Sequence, residues 1–222
     1  MVAYFGANDI PGKNKVQPYP GPTYAEELLC SGTIGYAGQP VGVIVAESYY
    51  VARSAADKVV VNYTKRGAPV IDAKPPVLAQ MVKERKKREG KRGNDVRAIE
   101  GTFACGSQYH FHMETHIAIV TPVENGTELE VVVSSQHLTQ VQRAIAEVLA
   151  IPSNAVHASA RRLGGAYGGK INRANISGCL AALAAHKLNA PVKLKLSLSD
   201  NMKIMGKRPE YSFSYSVLFI AS

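Results

Sequence analysis

Cysteine is scarce in this chain. Cys30, Cys105 and Cys179 lie far apart, and none belongs to a Cys-x-x-Cys pair. That spacing argues against a disulfide framework and against a structural zinc site. Three free thiols point to a reducing compartment, and a cytoplasmic location is expected. Long apolar runs are missing as well. No stretch stays apolar for the roughly 20 residues that a membrane-spanning helix needs, so no membrane association is expected. Met1 to Ile10 lacks the basic start and apolar core of a secretory signal. Charged residues make up only 19% and hydrophobic residues 46%, the balance of an ordinary globular protein. A length of 222 residues suits one large domain or two small ones.

Acidic residues are in deficit: 17 Asp and Glu stand against 26 Lys and Arg, a net charge of +9. Much of the excess is local. Lys83, Arg85, Lys86, Lys87, Arg88, Lys91 and Arg92 are offset only by Glu84 and Glu89. No aromatic residue interrupts this run to stack on bases, so a solvated linker is expected rather than a nucleic-acid surface.

Three segments follow from the patterning. In residues 1–63, Val2 to Phe5 predicts a strand, and Asp9-Ile10-Pro11-Gly12 a turn. Val41 to Ala46 is a continuous β-rich run that predicts a buried strand. Ser48 can cap a helix with Val51, Ala52, Ala55, Ala56 and Val59 on one face. Val60 to Tyr63 completes an expected β-α-β unit. Residues 64–94 carry Pro69, Pro75, Pro76 and the basic run, and predict a linker with one exposed helix over 76–88.

From residue 95 to 222 the pattern is richer. Ile99 to Cys105 predicts a strand. His116 to Pro122 and Leu129 to Ser134 flank Asn125-Gly126, a strong hairpin signal. Leu138, Val141, Ile145, Val148 and Leu149 form one helical face ended by Pro152. A strand over Val156 to Arg162 leads into a glycine loop. A helix follows with Ile176, Cys179, Leu180 and Leu183 inward, then strands at Val192 to Leu196 and Tyr211 to Phe219. The alternation of Lys193 and Lys195 marks the first of these as half-exposed. The last has no visible partner after it, which reads as a truncation or as an edge strand. The order of elements predicts a mixed α/β (α+β) layer fold.

Two constellations can carry chemistry. Gly164-Gly165-Ala166-Tyr167-Gly168-Gly169-Lys170 places four glycines between a strand and a helix. Glycine permits positive φ and close approach of backbone to a ligand, and loop amides favour an anionic or oxo group. The same glycines would serve a tight turn on steric grounds alone. Gly164 to Ile171 also approaches the phosphate loop Gly-x-x-x-x-Gly-Lys-Ser/Thr, but Ile171 lacks the hydroxyl that holds Mg²⁺. Asp200 would be the acidic strand end of such a nucleotide binder. The second constellation runs from Gly106 to His116. It holds Gln108, His110, His112, Glu114 and His116, ligand types for zinc or a set of hydrogen-bonded buried histidines. Gln108 is polar among apolar neighbours and needs a partner, from the backbone or a ligand. No nucleophile elbow is present.

These segments resemble the molybdenum hydroxylases, the aldehyde oxidase and xanthine dehydrogenase family. Gly106 to Thr115 is similar to the family's Gly-Gly-Gln-x-His-Phe-x-x-Glu-Thr segment, and Arg161 to Lys170 to its Arg-Arg/Met-Gly-Gly-Gly/Ala-Phe-Gly-Gly-Lys loop. Tyr36 to Gly42, Ser134-Ser135-Gln136 and Asn201-Met202 also fit, so the resemblance covers most of the chain in order. It implies that residues 1–63 are a partial α/β hammerhead domain and residues 95–222 the first, truncated part of a molybdopterin-binding domain. Gln108 would then contact the molybdenum environment through its side-chain amide. Gly165, Ala166, Tyr167 and Gly168 would bind the molybdopterin cofactor. Two departures stand out. The family has Phe where Tyr167 stands. The xanthine branch has a purine-holding glutamate where Ile171 stands, so the resemblance leans to the aldehyde oxidase branch, with Ile171 in the substrate pocket.

The expected parent is an oxidoreductase that oxidises aldehydes or hydroxylates heterocycles with oxygen from water. The resemblance places FAD and 2Fe-2S modules elsewhere in that parent, which would be a homodimer. The family's catalytic glutamate lies beyond this chain, so no catalytic residue is expected within it and the chain alone is expected to be inactive. A non-catalytic interaction module and a phosphate-loop nucleotide binder are the alternatives.

Overall fold

The computed structural model describes residues 2–16, 26–68 and 96–220. The expected linker prolines, the basic run and the helix over 76–88 lie outside them. Along the chain run β1 (Ala3–Phe5), β2 (Val43–Val45), α1 (Tyr49–Ala56), β3 (Val96–Cys105), β4 (Ile117–Val123), β5 (Glu128–Val133), α2 (Leu138–Leu149), β6 (Val156–Ser159), α3 (Ala174–Leu188), β7 (Val192–Lys195), α4 (Leu198–Ile204) and β8 (Tyr211–Ile220). They form two units. Residues 1–58 and 106–210 make one, and residues 59–105 and 211–222 the other.

The first unit is organised by a four-stranded sheet in the order β6-β5-β4-β7. β4 runs antiparallel to both β5 and β7, whereas β5 and β6 are parallel. Strand alternation sends Ala118, Val120, Leu129, Val131 and Val133 to one face, where all are buried. Helices α2 and α3 cover that face. On α2 the expected stripe is buried at Val141, Ile145, Val148 and Leu149, and Leu138 at its start is half-buried. Every residue of α3 from Ala174 to Ala185 is buried, so this helix is the core of the unit rather than an amphipathic cover. The Asn-Gly signal sits at the β4–β5 hairpin as expected, with φ of 58° at Asn125 and 87° at Gly126. β7 alternates as its lysines predict, with Lys193 and Lys195 exposed.

Several expectations fail for local reasons. β2 pairs antiparallel with β1, and Val60 to Tyr63 is not a strand, so no β-α-β unit forms. β2 is only half-buried, and α1 has no buried residue. Ser48 does cap α1, its Oγ accepting from the Val51 amide at 3.3 Å. β6 stops at Ser159, short of Arg162, as the chain turns toward the glycine loop. The α2 helix ends at Ala150 in the left-handed region, two residues before Pro152. Asp200 is not at a strand end. It lies in the first turn of α4, where its amide donates to the Ser197 Oγ at 3.1 Å and its carboxylate pairs with Arg53.

The second unit contains a ten-residue antiparallel ribbon of β3 and β8, in register from Val96 opposite Ile220 to Cys105 opposite Tyr211. The partner of the last strand thus lies upstream. Alternation puts Ile99, Phe103, Phe213, Tyr215 and Val217 on one exposed face, with the Phe103 and Phe213 rings 5.3 Å apart. Among the described residues no helix is long and apolar enough to cross a membrane.

Candidate functional site at the glycine loop

The fold brings the two sequence constellations side by side. The chain from His110 to Glu114 runs along the loop from Gly164 to Gly169, and the glycines set the spacing. A Cβ on Gly169 would lie 2.9 Å from the His110 Cγ. One on Gly165 would lie 3.2 Å from the His112 Cβ, and one on Gly164 only 2.6 Å from the Glu114 Cβ. Steric need therefore accounts for these three glycines without a ligand. Gly168 differs: nothing lies within 4 Å of its missing Cβ, but its φ of 86° demands glycine. Gly165, at φ 90°, and Tyr167, at φ 49°, are also left-handed.

Polar bonds hold the loop at both ends. Glu114 and Gly164 exchange a main-chain bond, the Glu114 amide donating to the Gly164 carbonyl at 3.0 Å. The Glu114 Oε2 accepts from the Gly164 amide at 3.1 Å and from the Lys170 Nζ at 2.6 Å. Gln136 grips the far end. Its Oε1 accepts from the Gly168 and Lys170 amides at 3.1 and 3.3 Å, and its main-chain amide donates to the Lys170 carbonyl at 2.9 Å. Burial pushes the Glu114 carboxyl up, but Lys170 and the Gly164 amide outweigh it and hold the group below its usual value. Lys170 is fully buried. A phosphate-loop lysine must present its ammonium to the ligand, and this one is committed inward to a carboxylate. The nucleotide-binding alternative fails on that geometry.

The histidines also turn inward. His112 and His116 are buried with ring centroids 5.3 Å apart. Each donates from Nδ1 to an oxygen: His112 to the Glu114 carbonyl at 2.6 Å, His116 to the Asn201 Oδ1 at 2.9 Å. Burial pushes both pKa values down, that of His116 to about 4, so both rings are neutral at pH 7. Among the described residues no three His, Cys, Asp or Glu side chains converge to hold a metal ion. His112 and His116 are hydrogen-bonded buried groups, while the half-buried His110 has an unpartnered Nδ1, and no zinc-type cluster forms among the described residues.

What remains free are donors. The amides of Gly165, Ala166 and Tyr167 make no hydrogen bond among the described residues. Gln108 is exposed, and its main chain forms an antiparallel bridge with Arg208, donating at 3.1 Å and accepting at 2.8 Å. Its side-chain amide has no partner among the described residues; because Gln108 is exposed, water meets the need that the sequence assigned to backbone or ligand. Free loop amides suit an anionic, oxo-bearing group such as a molybdenum cofactor. Tyr167 is 74% exposed, so its hydroxyl needs no protein partner. Ile171 is half-buried beside Lys170. A surface depression of about 550 Å³ lies elsewhere, along β5, β6 and α2, and contains none of these residues.

Sequence reading missed the tethers. Gln136 and Asn201 stood in motifs without a role, and Glu114 was weighed as a zinc ligand or as a nucleophile's helper. No sequence signal marked the Glu114–Lys170 pair, because only burial obliges a lysine to keep a carboxylate, and the burial of Lys170 is set by the fold.

Comparison with known proteins bears on the same residues. Residues 72–221 match the molybdopterin cofactor-binding domain, and residues 1–67 match the aldehyde oxidase and xanthine dehydrogenase a/b hammerhead domain. The chain is 34% identical to xanthine dehydrogenase 2 of Arabidopsis thaliana over 229 residues, which is 99% of this chain and 17% of that protein. It is 33% identical to the probable aldehyde oxidase gad-3 of Caenorhabditis elegans, covering 98% of this chain and 18% of that one. Such similar values do not separate the two branches. The fold is shared with the aldehyde oxidoreductases of Desulfovibrio gigas, with a TM-score of 0.75 at 20% identity, and Desulfovibrio desulfuricans, with 0.79 at 18%. Those matches cover 96% and 97% of this chain and 26% of each solved chain. The chain therefore spans about a sixth of the length of its curated relatives and about a quarter of the solved chains.

Proposed function

Because the chain belongs to the aldehyde oxidase and xanthine dehydrogenase family of molybdenum-cofactor oxidoreductases, we propose that its glycine loop and Gln108 form one wall of a molybdenum-cofactor site. The cofactor, when bound, supplies the redox chemistry by which oxygen from water is added to a substrate carbon. The Gly165, Ala166 and Tyr167 amides donate hydrogen bonds to it, and the Gln108 carboxamide donates toward the molybdenum environment. Ile171 lines the substrate side. An apolar wall there cannot hydrogen-bond a purine edge, so aldehydes and apolar heterocycles are the substrates proposed. FAD and 2Fe-2S centres belong to the rest of the parent enzyme in this reading.

The observation that carries the reading is the set of three unpaired amides in a loop otherwise tethered at every turn. The test compares the parent enzyme with its Gln108→Ala and Ile171→Glu variants. Molybdenum per protein should fall in the first. In the second, kcat/KM should shift from benzaldehyde toward xanthine by about one to two orders of magnitude, since an unpaired carboxylate costs roughly 1–3 kcal/mol against an apolar substrate. Failure of these residues to affect metal content or substrate ratio would leave a non-catalytic interaction module as the function of this segment.

A further inference from the structure

We propose that Glu114 is a positioning residue: half-buried itself, it pairs with the buried Lys170 to form a clamp that fixes the glycine loop in its donor-presenting shape before any ligand arrives. The proposal rests on reading that loop as the cofactor cradle.

The clamp is asymmetric in a telling way. A single oxygen, the Glu114 Oε2, accepts from the first residue of the loop, Gly164, and from the last, Lys170. One atom therefore closes the loop at its base. Inside the loop the Gly169 amide donates to the Ala166 carbonyl at 2.7 Å, a turn that reaches neither end. Tyr167 sits in the left-handed region, where a side chain costs roughly 1–2 kcal/mol, and Gly165 and Gly168 gain nothing from the conformation they adopt. The tethers must fix it. Lys170 is fully buried, and a buried ammonium must keep its carboxylate. Losing the carboxylate while Lys170 stays buried would leave an uncompensated charge, so the ion pair at 2.6 Å ties Glu114 to the end of the loop.

Stability alone does not account for this arrangement. An apolar pair of similar volume fills such a space as well as an ion pair does. What an apolar pair lacks is direction. The carboxylate adds two bonds aimed at the two ends of one loop, and the Gln136 Oε1 adds two more at Gly168 and Lys170. Together these bonds spare the Gly165 to Tyr167 amides.

The test is amide hydrogen exchange on the full 222-residue chain without cofactor. The reporters are the Gly168, Gly169 and Lys170 amides, which bond to Gln136 and Ala166 and not to Glu114. Two variants are compared with the wild type. Glu114→Leu combined with Lys170→Met removes the clamp without leaving a lone charge. Glu114→Gln keeps size and an acceptor oxygen, and it serves if the double variant does not fold. Exchange at the three reporters should rise at least tenfold in the double variant and by less in Glu114→Gln, while α2 and α3 keep wild-type rates. Unchanged reporter exchange, or a rise shared equally by α2 and α3, would overturn the proposal, because the pair would then be filling space or serving global stability. The readout contains no cofactor. Should the clamp behave as expected while molybdenum content proves indifferent to Gln108, only the cofactor reading fails.

Discussion

A single atom, the Oδ1 of Asn201, accepts from both the main-chain amide and the ring Nδ1 of His116, each at 2.9 Å. A backbone amide can only donate, so the Asn201 atom facing it is the oxygen, and the Nδ1 must carry the proton. Asn201 comes from α4, the helix that the sequence did not reveal, and His116 immediately precedes β4. The pair fixes the end of the histidine segment to the second half of the unit. Asn201→Ala strands two buried donors and should destabilise the chain by about 1–3 kcal/mol. Urea unfolding measures this. A loss below a few tenths would show that His116 does not depend on Asn201.

The same histidine makes the fold acid-sensitive. Burial depresses the His116 pKa to about 4, against 6.5 when unfolded, and His112 moves in the same direction. The unfolded state then binds more protons below pH 6.5, so stability is complete above that value and falls as pH drops toward about 4. The His116 contribution lost across this window is on the order of 3 kcal/mol. Glu114, also lowered, adds to the loss below its ordinary value of 4.5. Denaturation midpoints at pH 7, 5.5 and 4.5 should decline in that order. A flat profile down to pH 4.5 would contradict a buried neutral His116.

Two glycines of the loop should respond differently to alanine. At Gly164 the added methyl meets the Glu114 Cβ at 2.6 Å, so backbone must shift, at a cost of roughly 1–3 kcal/mol. At Gly168 the space is open and only the φ of 86° opposes alanine, at about 1–2 kcal/mol. Asparagine tolerates that region, so Gly168→Asn should recover part of the loss, whereas Gly164→Asn should not. Thermal unfolding of the four variants checks this, and equal rescue at both positions would refute the distinction.

Ala150 ends α2 with φ 55° and ψ 39°, a position that glycine usually holds. Ala150→Gly should therefore stabilise the chain by about 0.5–1 kcal/mol, unlike most glycine substitutions. A drop in the unfolding midpoint would mean that the Ala150 methyl makes packing contacts outweighing its backbone strain.

Local rules determined much of this protein in advance. The hairpin at Asn125-Gly126, the α2 stripe, the Ser48 cap and the alternating lysines of β7 are each set by neighbours in sequence, and each stands where the pattern put it. The family resemblance was legible too, since the glycine loop and the segment from Gly106 are contiguous motifs. What proximity in sequence cannot encode, tertiary packing decided. Whether Val60 to Tyr63 became a strand depended on finding an edge to pair with, and it found none among the described residues. Whether Tyr211 to Ile220 had a partner depended on Val96 to Cys105, more than a hundred residues upstream. The direction of Lys170 was settled the same way. Its sequence allowed an ammonium turned outward to a phosphate, but the half-buried carboxylate of Glu114, 56 residues away, turned it inward. A charge leaves water only where a partner already waits, and that partner is fixed by the fold.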